Sequence, residues 1–225
     1  MVSKKPLINL KYKQSQSHGF FWENEIREKV FKLTQIKNDV NKYDIKAENN
    51  IFDDNENVSI KVSRTYNICC GDICNFYNYD FNCKNTIIYI KYDQIKDIKK
   101  IREIYEINYN QEMHKLLFGN IKYKKITNYV DNVKELSNGI ISKEIRKNLI
   151  ITKKYLQTKF NMSININPKI DSNKQRRVQC SIPNIKLFLE KYPEFLISKN
   201  NLPIIRENKI IDSIISKKRI RLFKF

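Results

Sequence analysis

The stretch from Tyr43 to Asp72 combines carboxylates with a lysine in a pattern that could support phosphate chemistry. Residues 58–62, VSIKV, alternate between apolar and polar types as a half-buried strand does. Lys61 then lies on the face opposite the apolar residues. If Tyr43–Lys46 is the neighbouring strand, Asp44 comes close to Lys61. A carboxylate and a lysine there, with another carboxylate nearby, could hold Mg²⁺ and direct a water molecule onto a phosphate.

A simpler interpretation of the same residues remains open. The acids of this stretch could form an ordinary solvated turn, and Lys61 could be one surface lysine in a lysine-rich chain. The acids concerned are Asp44, Asp53, Asp54 and Glu56.

Over these residues and several flanking segments, the sequence resembles the PD-(D/E)XK nucleases, which include many restriction endonucleases. The resemblance is greatest to restriction endonucleases encoded by large DNA viruses. The family signature is an acid, a loop and then acid-x-Lys on the next strand. The segments that carry the resemblance are HGFFWEN, YDI, SIK, CGDI and RRVQCSIPN. Two positions depart from the pattern: no proline precedes Asp44, and Ser59 stands where the family has its second carboxylate.

The resemblance implies a Mg²⁺-dependent endonuclease that hydrolyses phosphodiester bonds in double-stranded DNA. It implies that Asp44 binds the metal and that Lys61 positions the attacking water. Some members with Ser or Thr at the second acid position take the missing acid from a neighbouring element, and Asp72 is the candidate for that metal ligand here. Asp72 also precedes an expected helix, whose N-terminus would stabilise a carboxylate without any metal.

The resemblance also implies a metal-binding glutamate on the helix that precedes the first catalytic strand. Apolar residues at helical spacing predict such a helix over residues 20–34. The role falls to Glu23, and Glu25 is the competing choice, about 160° away around the helix. Alternatively, these acids only pair with Arg27 and Lys29 on the helix surface.

Two runs of β-branched and aromatic residues predict the centre of the sheet. They are residues 85–92, NTIIYIKY, and residues 101–109, IREIYEINY. The basic segment between them suggests an antiparallel hairpin. Glu106 lies in the second run, where it could either reach the site or pair with Lys91.

The sequence of the second half of the chain predicts mainly helices. Helices are expected over 112–118, 123–136 and 142–160, with Ser142 as an N-cap, and shorter ones over 187–192 and 210–215. The predicted fold is α/β, with a mixed central sheet flanked by helices. Residues 1–120 would form the catalytic core with an N-terminal arm. Residues 121–225 would form a helical, DNA-contacting region packed with that core as one domain.

A basic turn between two short strand runs is the candidate DNA-reading segment. Its candidate residues are Lys174, Gln175, Arg176, Arg177 and Gln179. Arg can read guanine and Gln can read adenine in the major groove. A phosphate clamp that reads no bases is an equally good interpretation. The lysines of residues 142–160 could follow a DNA backbone or form a solvated face.

Composition supports a polyanionic partner. The chain has 225 residues and a formal net charge of +19, from 43 Lys and Arg against 24 Asp and Glu. Four glycines cannot supply a Gly-rich phosphate loop or a dinucleotide fingerprint, which argues against kinases, ATPases and dehydrogenases.

The alternatives to a nuclease are a non-catalytic nucleic-acid-binding protein and a structural virion or chromatin-like protein.

The odd number of cysteines, five, predicts a reducing compartment, namely the cytoplasm or nucleus of a host cell, or a virion. No apolar run approaches the length of a membrane span, so we expect no membrane partner. A homodimer is plausible for cutting both strands of a palindrome.

Overall fold

The computed structural model describes residues 8–9, 17–33, 43–137, 139–170 and 176–215. The strands in these ranges are β1 (Ile8–Asn9), β2 (Glu56–Ser63), β3 (Ile68–Asp72), β4 (Lys84–Ile95), β5 (Ile98–Asn108), β6 (Asn165–Lys169), β7 (Arg177–Ile182), β8 (Leu196–Asn200), β9 (Ile204–Ile205), β10 (Asn208–Lys209) and β11 (Ser213–Ile215). The helices are α1 (Ser17–Lys29), α2 (Ile73–Tyr77), α3 (Gln111–Phe118), α4 (Tyr123–Lys134), α5 (Lys143–Lys159) and α6 (Ile185–Lys191), with 3₁₀ turns at Ala47–Asn49 and Pro193–Phe195.

The chain forms two compact units, each assembled from separate segments. The first unit comprises Met1–Tyr66, Cys83–Asn108 and Tyr192–Phe225. The second comprises Asn67–Asn82 and Tyr109–Lys191. This division differs from the expected boundary at residue 120, because strands that complete the first sheet come from near the end of the chain.

A mixed sheet in the first unit confirms the predicted fold class. Its strand order is β1-β11-β5-β4-β2, and β8 also pairs with β5. β2 runs parallel to β4, whereas β4 and β5 form the antiparallel hairpin predicted from their sequences. β4 and β5 lie inside the sheet, as expected for β-branched strands. β2 pairs with β4 on one side only, so it presents its other edge to the segment around Asp44.

Helix α1 packs against the apolar face of β2. Val58 and Ile60 are 0% and 4% exposed and share a core with Trp22, Ile26 and Val30. The last three residues recur every four positions, which places them on one side of the helix. Val58 and Ile60 therefore face the core as predicted, but β2 is not half-buried there, since Ser59 on its other face is only 4% exposed. Each apolar side chain of this core stabilises the fold by roughly 1.5–3 kcal/mol through its burial.

Helix α1 begins and ends a few residues earlier than the prediction over 20–34. It spans Ser17–Lys29, and Lys32 has a φ of 58°. A positive φ is incompatible with a continuing α-helix. Phe31 nevertheless stays fully buried, so the apolar periodicity extends past the helix into the turn that follows it.

The short helix predicted over residues 210–215 is wrong. Ser213–Ile215 instead form β11, which pairs with Ile98–Lys100 of β5 and with β1. The run is too short for its periodicity to distinguish a helix from a strand. Burial of Ile214 in the core and the hydrogen bonds of two neighbouring strands favour the extended form.

The second unit combines helices α2 to α6 with a three-stranded antiparallel sheet, ordered β3-β7-β6. A β-bulge interrupts β3, and Gly71 there has a φ of 79°, which a residue without a Cβ adopts most readily. Helices α3, α4 and α5 confirm the three longer helices that the sequence predicts. Ser142 caps α5 as expected, because its Oγ accepts a hydrogen bond from the Ile145 N–H at 3.2 Å.

His114 belongs to an aromatic core in the second unit. Its Nδ1 lies 2.8 Å from the hydroxyl of Tyr109, and burial lowers the pKa of His114 to about 4. The rings around it are those of Phe76, Tyr77, Phe81, Tyr109 and Phe118. His114 is therefore a neutral core residue at physiological pH.

A buried ion-pair network, centred on Arg206, connects the β9–β10 hairpin to the central sheet. Arg206 donates to both carboxylate oxygens of Glu56, at 2.7 and 2.8 Å, and to Glu106 at 3.0 Å. Burial alone would raise the pKa of Glu56, but hydrogen bonds from Arg206 and Thr86 bring it below its usual value. Of the two alternatives left open for Glu106, pairing with Lys91 is not found, since Lys91 pairs with Asp93 at 2.7 Å and Glu106 binds Arg206 and Ser198.

The backbone at this hairpin turn is strained. Arg206 and Glu207 have φ values of 46° and 65°, a conformation that favours glycine or asparagine. The Arg206 guanidinium lies within 5.2 Å of the ring centres of Phe31 and Phe52, so cation–π contacts add to the ion pairs. These contacts offset the unfavourable backbone geometry.

Replacing Arg206 by methionine is expected to lower the free energy of unfolding by about 3–5 kcal/mol, because Glu56 and Glu106 would stay buried without a charged partner. Lys209→Met, an exposed change on the same hairpin, should alter it by no more than about 0.5 kcal/mol. Urea denaturation of both variants at pH 7 measures the difference. Equal stabilities would show that the network contributes nothing specific.

Candidate active site

Asp44 lies against the outer edge of β2. Its N–H donates to the carbonyl of Val58 at 3.0 Å, and Ile45 forms a single antiparallel bridge with Val58. The partner strand predicted over Tyr43–Lys46 is thus reduced to one bridge. That bridge is sufficient to bring Asp44 beside Lys61, as the sequence pattern predicts.

The carboxylate of Asp44 is held by both backbone and side-chain donors. Its Oδ2 accepts from the Ile60 N–H at 2.5 Å and from the Lys61 Nζ at 3.2 Å. Arg27, on α1, donates to the carbonyl oxygen of Asp44. The side chains of Lys61 and Asp44 are 32% and 19% exposed, so a ligand in solvent can still reach the pair.

Glu23 of α1 completes the cluster. Its carboxyl group hydrogen-bonds to that of Asp44. Burial, the neighbouring charge of Asp44 and this hydrogen bond raise the pKa of Glu23 to about 7, although Lys61 and Arg27 act in the opposite direction. The negative charge of Asp44 opposes ionisation of Glu23, because two negative charges at that distance repel each other.

Glu25, the competing choice, has a different environment. It is 8% exposed, accepts a hydrogen bond from the Ile211 N–H at 3.2 Å and pairs with Lys29 at 3.3 Å. Of the two glutamates, the structure therefore brings Glu23 into contact with Asp44. The pairing of helix acids with Lys29 is correct for Glu25.

The donor set of this cluster suits a hard cation. Glu23 and Asp44 offer carboxylate oxygens, and Mg²⁺ is commonly held by one or two carboxylates with waters and substrate phosphates completing its coordination. Ser59, at the position of the family's second acid, is 4% exposed and adds no charge. Among the described residues, no three side chains of His, Cys, Asp or Glu form a group that could hold a metal ion.

Asp72 lies in the second unit, where its carboxylate caps α2. Its Oδ1 accepts from the N–H groups of Cys74 and Asn75, at 2.9 and 3.1 Å. This is the N-cap geometry that the sequence left open as an alternative to metal binding. Capping of α2 is therefore a sufficient reason for an aspartate at this position, and no bound cation is needed to explain it.

The candidate DNA-reading segment is described only in part. Lys174 and Gln175 lie outside the described residues. Arg177 is exposed at the start of β7, and Gln179, within β7, pairs in register with Asn167 of β6. Arg177 is therefore more accessible to a ligand than Gln179 is.

The Arg176 guanidinium binds backbone carbonyls of its own unit. It donates to the carbonyl oxygen of Ser137 at 2.7 Å, of Gly139 at 2.8 Å and of Ile170 at 2.5 Å. These bonds fasten the segment before α5 to the end of β6 and the start of β7. They occupy the donors that base reading would need.

The main residue that sequence reasoning missed is Arg27. It lies four residues after Glu23, one turn along α1, and contacts the backbone of Asp44. The spacing itself was a usable signal, because residues four apart share a helix face. Nothing local in the sequence distinguishes such a contact from the surface pairing expected for Arg27.

Comparison of the chain with models of protein families, with curated proteins and with solved structures found no match. No helix in the described ranges is both long and apolar enough to cross a membrane.

Glu23→Gln is expected to stabilise the protein at high pH in the absence of divalent metal. The folded chain binds the Glu23 proton more tightly than the unfolded chain does, so this group lowers stability as pH rises from about 4.5 to about 7. Glutamine removes that penalty and can still donate to Asp44. We expect a gain of roughly 1–2 kcal/mol at pH 8, after allowance for solvent screening, and almost none at pH 4.

Thermal or urea unfolding with EDTA, across pH 4 to 8, measures this effect. Glu28→Gln, an exposed change on the same helix, controls for the loss of one acid. A stability difference between Glu23→Gln and wild type that does not vary with pH would contradict the raised pKa of Glu23.

Arg176→Ala should lower the free energy of unfolding by roughly 1.5–3 kcal/mol, since charge-assisted hydrogen bonds to three carbonyls are lost. Arg177→Ala, at an exposed neighbouring position, should change it by less than about 0.5 kcal/mol. Chemical denaturation of the two variants provides the comparison. If Arg176→Ala is as stable as Arg177→Ala, the guanidinium is not a structural clamp and remains a candidate for DNA contact.

Proposed function

We propose that the chain is a Mg²⁺-dependent endonuclease, of the type II restriction-endonuclease kind, that hydrolyses phosphodiester bonds in double-stranded DNA. The observation that carries this proposal is the convergence of Glu23, Asp44 and Lys61 at the edge of β2. These residues come from α1, from the segment before the first 3₁₀ turn and from β2. Their meeting agrees with the site that the PD-(D/E)XK resemblance implies.

The proposed roles follow from the contacts of each side chain. Glu23 and Asp44 would bind Mg²⁺, which would supply charge to neutralise the phosphate and would lower the pKa of a bound water. A cation of charge two can replace the proton that Glu23 binds. Arg27 fixes the backbone of Asp44, so the carboxylate is already positioned before the metal arrives.

Lys61 would act on the reacting phosphate. Its ammonium group is anchored by Asp44 at 3.2 Å and is partly exposed, so it can donate to the attacking water or to a phosphoryl oxygen. Charge that develops on the phosphate in the transition state would be stabilised by this fixed cation. Hydrolysis breaks one P–O ester bond and leaves a phosphate monoester and a free hydroxyl group.

DNA is the proposed substrate because the net charge of +19 favours a polyanion. A homodimer would place one active site on each strand. All five cysteines are free thiols, in keeping with the proposed reducing compartment, which is the cytoplasm or nucleus of a host cell, or a virion. We leave Asp72 out of the proposed catalytic set, since its carboxylate serves as a helix cap.

A non-catalytic nucleic-acid-binding protein is the second candidate. The observation that favours it is Ser59, which leaves Glu23 and Asp44 as a pair of carboxylates instead of a larger acidic group. In such a protein, the cluster would be a stabilised ion pair at a sheet edge, and the surface lysines would bind phosphates.

Lys61→Ala is expected to reduce Mg²⁺-dependent cleavage of plasmid DNA at least about 100-fold, because a transition-state cation is lost. DNA binding in EDTA, measured by mobility shift, should change by less than about threefold, since one phosphate contact at most is removed. Lys84→Ala is the matched control, because Lys84 also pairs with an aspartate, Asp53, at 2.8 Å. That variant should cleave as wild type does.

A folded Lys61→Ala protein that cuts at the wild-type rate would remove Lys61 from the mechanism. Wild-type protein that shifts DNA but never cuts it, with Mg²⁺ or Mn²⁺ present, would favour the non-catalytic alternative.

A further inference from the structure

Helix α5 is poorly buried for its length. It has 17 residues, of which Leu149 and Leu156 are buried. Of its other large apolar side chains, Ile145 is 38% exposed, whereas Ile150, Ile151 and Tyr155 are 52%, 53% and 54% exposed. A surface helix normally turns such residues toward the core. The outward face of α5 therefore has a composition that suits contact with a partner.

The lysines of α5 form a row on that outward face. At about 100° per residue, Lys143, Lys147 and Lys154 fall within a sector of about 40°, roughly opposite Leu149 and Leu156. Ile150 lies on one side of the row, and Ile151 and Tyr155 lie on the other. All of the lysines in the row are exposed. The row therefore runs along the centre of the accessible face, bordered by apolar side chains.

These lysines have no acidic partner among the described residues. In the first unit, by contrast, Lys61, Lys84 and Lys91 each pair with an aspartate within 3.2 Å. The one acid within α5 is Glu144, in its first turn. Lysines without a counter-charge repel one another, and an anionic partner would relieve that repulsion.

We propose that α5 is the helix through which the chain binds double-stranded DNA, with its lysine row along the phosphates of the DNA backbone. The bordering residues Ile150 and Ile151 would then contact the sugars beside those phosphates. The inference rests on DNA as the substrate of the proposed function.

Other occupants fit this face less well. An interfacial membrane helix needs a continuous apolar face, whereas here the lysine row separates Ile150 from Ile151 and Tyr155. A second copy of α5 would bring two lysine rows together, and like charges oppose that contact. The charge pattern therefore favours the nucleic acid.

The test compares two triple variants of equal charge. The first is Lys143→Gln/Lys147→Gln/Lys154→Gln, and the control is Lys115→Gln/Lys122→Gln/Lys125→Gln, at exposed positions of the same unit outside α5. Binding of each full chain to a fluorescent 20-base-pair duplex is measured by anisotropy in EDTA, at several salt concentrations. Circular dichroism checks that the helices are retained.

The α5 variant is expected to bind at least about tenfold more weakly than wild type at 100 mM salt, with the salt slope reduced by about two to three. The control should lose less than about threefold. Equal losses in both variants would overturn the proposal, since the attraction would then be diffuse. Unchanged DNA binding together with lost binding to phosphatidylserine vesicles would overturn it in favour of a membrane surface.

The outcomes for α5 and for catalysis are separable. If the α5 variant binds DNA as wild type does while Lys61→Ala still abolishes cleavage, the proposed function stands and the docking inference fails. If DNA binding depends on α5 but wild type cuts no DNA, the docking inference stands and the nuclease proposal fails.

Discussion

The parallel pairing of β2 with β4 is the constraint on which the candidate site depends. It runs from Glu56 opposite Lys84 to Ser63 opposite Lys91 and fixes which face of β2 meets the core. A one-residue slip would turn Lys61 inward and Val58 outward. Because β2 pairs with β4 on one side only, its other edge is open to Asp44. The carboxylate of Asp44 accepts a hydrogen bond from a backbone N–H of the strand.

The charges of the first unit are balanced in two different ways. Around Arg206, one cation pairs with two buried acids. Uncharged neighbours of these acids, Thr86 and Ser198, also donate hydrogen bonds to them. Around Asp44, Lys61 and Arg27 match the formal charges of the two acids, yet burial and the contact between Glu23 and Asp44 still raise the pKa of Glu23. The first arrangement is typical of a structural network, whereas a carboxyl group with a raised pKa, as in the second, is common at functional sites.

Much of the local structure could be predicted because it follows from short-range patterns. The alternation in β2, the periodicity of α1 and the Ser142 cap each depend on side chains close together in sequence. The Arg206 network could not be predicted, because Arg206 lies 150 residues from Glu56. The Arg176 clamp also escaped prediction, since an arginine looks the same in sequence whether it binds a base, a phosphate or three backbone carbonyls.

The two-unit arrangement has a consequence for how the chain folds during synthesis. β5 obtains its neighbours β8 and β11 from residues 196–215, which leave the ribosome only after the long segment 109–191. Until then, one hydrogen-bonding edge of β5 is open, and an open strand edge can pair with other nascent chains. Slow completion of this sheet would make protein yield sensitive to expression temperature and to chaperones, even for variants whose finished fold is stable.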